Sequence, residues 1–166
     1  MGSLGSWWGS RTRQFRAHLR ADVTPEERTA LASWISSSAL ALFDSMHLAD
    51  RRHGLDVVGS LRAEGVVDRD VLIAGLVHDA GKGDTGIWPR VAYSLGQRYG
   101  SWVWRVAERL PGFGPAIGRL ETHAETSAEL AATAGCSPRT VELIRSQDAP
   151  TDPEFGELFR LADEAN

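Results

Sequence analysis

Leu72-Ile73-Ala74-Gly75-Leu76-Val77-His78-Asp79-Ala80-Gly81-Lys82-Gly83-Asp84 is an apolar helical run that delivers two adjacent metal-capable side chains and then breaks into a glycine-punctuated turn. Asp68 is suited to cap the start of this helix. Val71, Leu72, Leu76 and Val77 belong to its inward side, and Gly81 and Gly83 are suited to end it. His78 and Asp79 therefore stand at a helix C-terminal end. Consecutive helical residues project about 100° apart, so one helix offers both ligands only to an ion lying between their directions. Other elements must supply the remaining ligands.

Helix starts recur on both sides of this run, while alternating β patterns and hairpin dipeptides are scarce, so the pattern predicts an all-α chain. Thr24-Pro25-Glu26-Glu27 reads as a capping box with proline at the first helical position, and it predicts a helix over 25–44. Asp50 is placed to cap the next helix, with His53 in its first turn and an end near Gly65. Residues 87–110 read as one helix rich in Trp88, Tyr93, Tyr99, Trp102 and Trp104. These aromatics are expected chiefly to fill the core, or else to wall a base-sized pocket. The breakers around Pro111-Gly112-Phe113-Gly114-Pro115 predict a loop. Thr122-His123-Ala124-Glu125 reads as a second capping box, starting a helix from His123 towards Thr133 that Gly135 stops. Ser137-Pro138 starts another, and Asp152-Pro153 starts the last, which carries Asp163.

At 166 residues the chain fits one domain with one core, and its 42% hydrophobic and 24% charged content is ordinary for a soluble protein. No apolar stretch approaches the roughly 20 residues needed to span a membrane. The single cysteine, Cys136, has no internal disulfide partner, and no charged-then-apolar leader precedes the first helix signals. A reducing cytoplasm is the expected setting. Net charge is −4, yet the first 20 residues hold Arg11, Arg13, Arg16 and Arg20 without an acid, leaving −8 on the rest. An extended nucleic-acid surface is therefore not expected. Residues 1–23 read as a basic aromatic segment with Trp7, Trp8, Phe15 and Leu19. An amphipathic helix docked on the core is the expectation, with contact to anionic lipid the alternative. Oligomeric state is not legible.

The phrases Asp50-Arg51-Arg52-His53, His78-Asp79-Ala80-Gly81-Lys82-Gly83 and Ala162-Asp163-Glu164-Ala165-Asn166 together resemble the HD-domain superfamily of metal-dependent phosphohydrolases, in particular its small stand-alone bacterial members. The resemblance covers about residues 50–166 and implies a single-domain HD-type helical bundle over 24–166. It implies four ligands to one divalent metal ion, namely His53, His78, Asp79 and Asp163. His123 aligns with a family position that serves a second metal. The later phrase that would hold a further histidine reads Arg145-Ser146-Gln147-Asp148, a departure that argues for one tightly held ion.

Imidazole and carboxylate ligands without thiolate suit Mn²⁺, Fe²⁺, Co²⁺, Ni²⁺ or Mg²⁺. Such an ion lowers the pKa of bound water from about 15.7 towards about 7 and neutralises phosphoryl oxygens. The expected activity is hydrolysis of a small phosphate ester, a nucleotide or related phosphomonoester or diester, with Asp79, Lys82 and His123 as the catalytic candidates. Lys82, the only lysine, reads either as a phosphate point charge or as a cation favouring a helix C-terminus. His123 reads as a donor to substrate phosphate, a proton donor to the leaving group, a ligand to a weak second ion, or merely a solvated first-turn histidine. His18 and His47 fall outside the motif positions. Arg51, Arg52, Asp84 and Asp148 lie near enough in sequence to line a substrate site, although charged residues beside turns are usually just solvated. A competing expectation is a non-catalytic module that senses a nucleotide or binds a partner around a structural or vestigial metal site.

Overall fold

Local capping chemistry sets the first helix of the described residues. In a computed structural model describing residues 22–100 and 102–166, Thr24 and Glu27 exchange side-chain-to-backbone hydrogen bonds and open α1, Pro25–Ala32. The single helix expected over 25–44 is in fact two. Ser33 Oγ donates back to the carbonyl of Ala30, and Ser36 Oγ accepts from Ala39 N–H, opening α2 at Ser37–Ser45. Serine hydroxyls compete with the helical ladder for backbone partners, and a run of them here ends one helix and caps the next. Leu31, Ile35, Ala39 and Phe43 are all buried across the break.

Helix α3, Leu48–Ala63, begins earlier than the sequence suggested: its N-cap is His47, whose Nδ1 accepts from Ala49 N–H, and not Asp50. Asp50 is left inside the first turn, buried, and His53 falls in the second turn. Asp68 caps α4, Arg69–Val77, as expected, by accepting from Asp70 and Val71 N–H. Every residue from Val71 to Val77 is buried. A helix apolar on all sides belongs in the middle of a bundle, and α4 is flanked by α2, α3 and two later helices, α9 and α10, bounded below. A short 3₁₀ turn, Ala80–Lys82, follows it.

The helix expected over 87–110 is broken by Gly100, whose φ of 106° lies in the region open to glycine, giving α5, Ile87–Tyr99, and α6, Trp102–Ala107. Nor do its aromatics mainly fill the core. Trp88 is 74% and Trp102 64% exposed, while Tyr93 and Trp104 stack on each other at 5.2 Å between helices. The region read as a loop at its far side is partly helix, α7, Phe113–Glu121. Pro115 falls in its first turn, where a missing N–H loses no intrahelical bond.

Helix α8, His123–Thr133, follows almost at once, but without the expected capping box, because Thr122 donates its hydroxyl to Gly118 O rather than capping. Ser137 caps α9, Pro138–Arg145, as read. At the last start Asp152 accepts from Glu154 and Phe155 N–H and organises a turn, and the helix proper, α10, is Gly156–Ala165. Asn166 ties this end down by donating to Ser60 Oγ on α3 and to Ala162 O.

The described residues thus form one all-α domain of ten helices with no strand. No helix among them is long and apolar enough to cross a membrane. The readings placed on residues 1–21, including the amphipathic helix and its arginines, lie outside the described residues, as does His18. Val23, at the edge of that segment, lies against the core.

Candidate metal centre

Four side chains converge because α3 and α4 cross with almost no space between them. A Cβ on Gly54 would lie 2.3 Å from the backbone oxygen of Leu76, so only hydrogen fits at that position. Crossing there sets His53, beside Gly54, against His78, the residue that ends α4; their rings are 5.2 Å apart. Helix α10 brings in the carboxylate. Asp163 Oδ1 lies 2.8 Å from His53 Nε2 and 3.0 Å from His78 Nε2. Phe159, one turn earlier on the same helix, presses edge-on against the His78 ring at 5.6 Å and fixes its plane.

His53, His78 and Asp163 each offer a ligand atom, and all three atoms lie within 4.8 Å of one another. Asp79 completes the ring of donors, with Oδ1 3.5 Å from His78 Nε2 and Oδ2 3.9 Å from His53 Nε2. Its Oδ1 is buried without a hydrogen-bond partner among the described residues. An orphaned acceptor on a buried carboxylate is costly. A cation held by His53, His78 and Asp163 would stand beside this oxygen and relieve it, so those three residues fit a divalent ion. His78 Nδ1 is 3.0 Å from the Gly75 carbonyl, which anchors the ring and leaves Nε2 as the ligating nitrogen.

Without an ion, charge balance within this cluster falls to protons. Burial disfavours the charged form of His78, but the Asp79 and Asp163 carboxylates outweigh it and raise its pKa to about 9. Burial likewise opposes ionisation of Asp79, yet the Lys82 ammonium, then His78 and His53, hold its carboxyl well below the usual range. Asp163 is depressed against burial by His78 and His53. The metal-free cluster therefore holds a proton on His78 where the ion would supply positive charge.

Lys82 donates to Asp79 Oδ2 at 2.6 Å. Burial works against its charge, and Asp79 with Asp50 raises its pKa in spite of that. Its ammonium orients the Asp79 carboxylate, a role outside the two readings from sequence. The turn that carries it is pinned twice. Gly81 N–H donates to Ser127 Oγ at 2.8 Å, and a Cβ on Gly81 would meet His123 O at 2.5 Å. On the other side Arg90 bonds Asp50 through two nitrogens, at 2.5 and 2.8 Å, and also donates to Thr85 O.

His123 opens α8 on the Lys82 side of the cluster, its Nε2 3.9 Å from Asp79 Oδ1. Nδ1 donates to Leu120 O at 2.7 Å, and Nε2 faces the side-chain nitrogen of Gln147 at 3.2 Å. Burial first and Lys82 second lower its pKa, so the neutral ring predominates at pH 7. A neutral ring protonated at Nδ1 presents Nε2 as an acceptor. This disfavours the proton-donor and phosphate-donor roles read from sequence.

The structure thus brings together His53, His78, Asp79 and Asp163, with Lys82 and His123 beside them. Arg52 instead ties Glu27 to Asp56, Asp84 and Asp148 are exposed, and His47 caps α3. Gln147, Ser127 and the Asp50–Arg90 pair were not read as functional from sequence. Only Gln147 had a local signal, as the residue standing where a further histidine was sought. Comparison with family models, curated proteins and solved structures finds no match to this chain.

Proposed function

We propose that this protein is an HD-type metal-dependent phosphohydrolase that holds one divalent ion through His53, His78, Asp79 and Asp163 and cleaves a small phosphate ester. The observation that carries this reading is the approach of two imidazole Nε2 atoms to one Asp163 oxygen, at 2.8 and 3.0 Å, beside a buried Asp79 oxygen that has no partner among the described residues. When bound, a divalent ion supplies a Lewis acid that acidifies water and offsets phosphoryl charge. Lys82 keeps Asp79 ionised and aimed, and the Gly75 carbonyl and Phe159 hold His78 in register. His123 Nε2 is an acceptor already taken by the Gln147 amide, so the ring serves a substrate only where a substrate donor group displaces that amide. The test is turnover of a generic phosphate ester with added Mn²⁺, Co²⁺ or Ni²⁺. Activity is expected in the wild type and lost in His78→Ala and in Asp79→Ala; activity retained in both variants would overturn the proposal.

A second reading, a nucleotide-sensing or partner-binding module around a structural ion, is favoured by one observation. Lys82 and His123 are both already engaged by neighbouring side chains, Asp79 and Gln147. Nucleotides that raise the melting temperature of the ion-loaded protein without being hydrolysed would select this reading.

A further inference from the structure

Gln147 is 5% exposed and follows the end of α9, with its side chain directed at His123. The His123 ring is held at both nitrogens. Nδ1 is committed as donor to the Leu120 carbonyl, so Nε2 carries a lone pair unless a second proton is added. No carboxylate is within hydrogen-bond distance to stabilise that proton, the nearest being Asp79 Oδ1 at 3.9 Å. The Gln147 amide must therefore present its N–H to the ring, and this orientation leaves Gln147 Oε1 buried and without a partner among the described residues. A glutamine held with one end orphaned is fixed by what the other end does.

We propose that Gln147 is a positioning residue that caps the His123 lone pair and so confines the centre to a single ion. The inference rests on the reading of His53, His78, Asp79 and Asp163 as ligands. Between Asp79 Oδ1 and His123 Nε2 there are two acceptors facing one another, an arrangement that would otherwise attract a second cation. An ion entering there must take the imidazole lone pair, and doing so strands a buried amide donor. The cap thus opposes a second ion without touching the first.

The cap and its consequence are tested separately. Metal-free protein is dialysed to equilibrium against excess Mn²⁺, and bound ions are counted. One ion per chain is expected for the wild type and two for Gln147→His, which removes the amide and adds a ring nitrogen. Two ions in the wild type, or one in a folded Gln147→His variant, would overturn the inference while leaving the ligand reading intact; none in the wild type would overturn both. In the metal-free protein labelled with ¹⁵N-histidine, the His123 Nε2 resonance is expected to be that of an unprotonated, hydrogen-bonded nitrogen and to move downfield in Gln147→Leu. An unmoved resonance would overturn the cap even if the histidine variant failed to fold.

Discussion

His78 and His123 are the same side chain held in the same local way, each giving Nδ1 to the carbonyl oxygen three residues before it, Gly75 in one case and Leu120 in the other. What stands at Nε2 separates them. His78 faces the Asp79 and Asp163 carboxylates, while His123 faces the Gln147 amide with the Lys82 charge nearby. The first is raised to about 9 and the second lowered, so at neutral pH in the metal-free chain one ring is a cation and the other is neutral. Backbone anchoring chooses which nitrogen points inward, and the partners at that nitrogen decide whether the ring trades a proton for a metal ion.

The largest contrast is expected on deleting each ring. His78→Ala should weaken Mn²⁺ binding by more than about 100-fold, beyond the 10–100-fold typical of residues that only support a ligand. His123→Ala should change it by no more than a few-fold. Calorimetric titration of both variants measures the difference, and equal losses would erase the distinction.

Next in size is the response to pH. Below about 9 an incoming ion must displace the His78 proton, so apparent affinity should fall about 10-fold for each pH unit lost between pH 8 and pH 6. At pH 7 His78 should give up nearly one proton as the ion binds, and neutral His123 adds none. The stability of the metal-free chain carries the matching sign. His78 has a higher pKa folded than its ordinary 6.5, so its contribution is complete below pH 6.5 and disappears as pH rises through about 9. That loss amounts to roughly 3 kcal/mol. Thermal melts of chelated protein should drift downward over this window, whereas ion-loaded protein should not.

Two glycines sharpen the same comparison through packing. Gly54→Ala drives a methyl against the Leu76 carbonyl and should separate His53 from His78, at a cost of about 1–3 kcal/mol and with weakened ion binding. Gly81→Ala meets the His123 carbonyl instead and should destabilise the protein by a similar amount, but leave His53, His78 and Asp163 in place. Denaturant melts paired with Mn²⁺ titrations separate these outcomes. The effect of Ser127→Ala is expected on stability alone: it strips the partner from Gly81 N–H and should cost about 1–3 kcal/mol. Loss of ion binding in that variant would mean the turn positions the ligands more directly than its packing implies.

The parts of this molecule legible in the sequence are those that depend on near neighbours. Thr24, Asp68 and Ser137 cap the helices they were expected to cap, because each bond spans two or three residues. Of the four candidate ligands named from a spaced phrase, the fold groups His53, His78 and Asp163 within 4.8 Å and sets Asp79 beside them. Thr122 shows where such reading stops. Its capping box has the right letters, but α7 runs into it and takes the hydroxyl for Gly118 O. The helix over 113–121 was hidden by a proline that is harmless in a first turn, and the Gly100 break by an unbroken aromatic pattern on either side. Asp50 looked like a cap because Arg90, its partner, lies 40 positions away. The closest approach in the site, Gly54 on Leu76, carries no sequence signature beyond a glycine in a helix, and its meaning exists only once α4 is beside it.

Counting bound Mn²⁺ in wild-type, His78→Ala and His123→Ala protein tests the centre most directly. One ion per chain in the wild type and in His123→Ala, with none retained by His78→Ala, is the expected result. A wild-type chain that binds no ion, or a His78→Ala chain that binds as well as the wild type, would contradict the assignment of His53, His78, Asp79 and Asp163 as a metal centre.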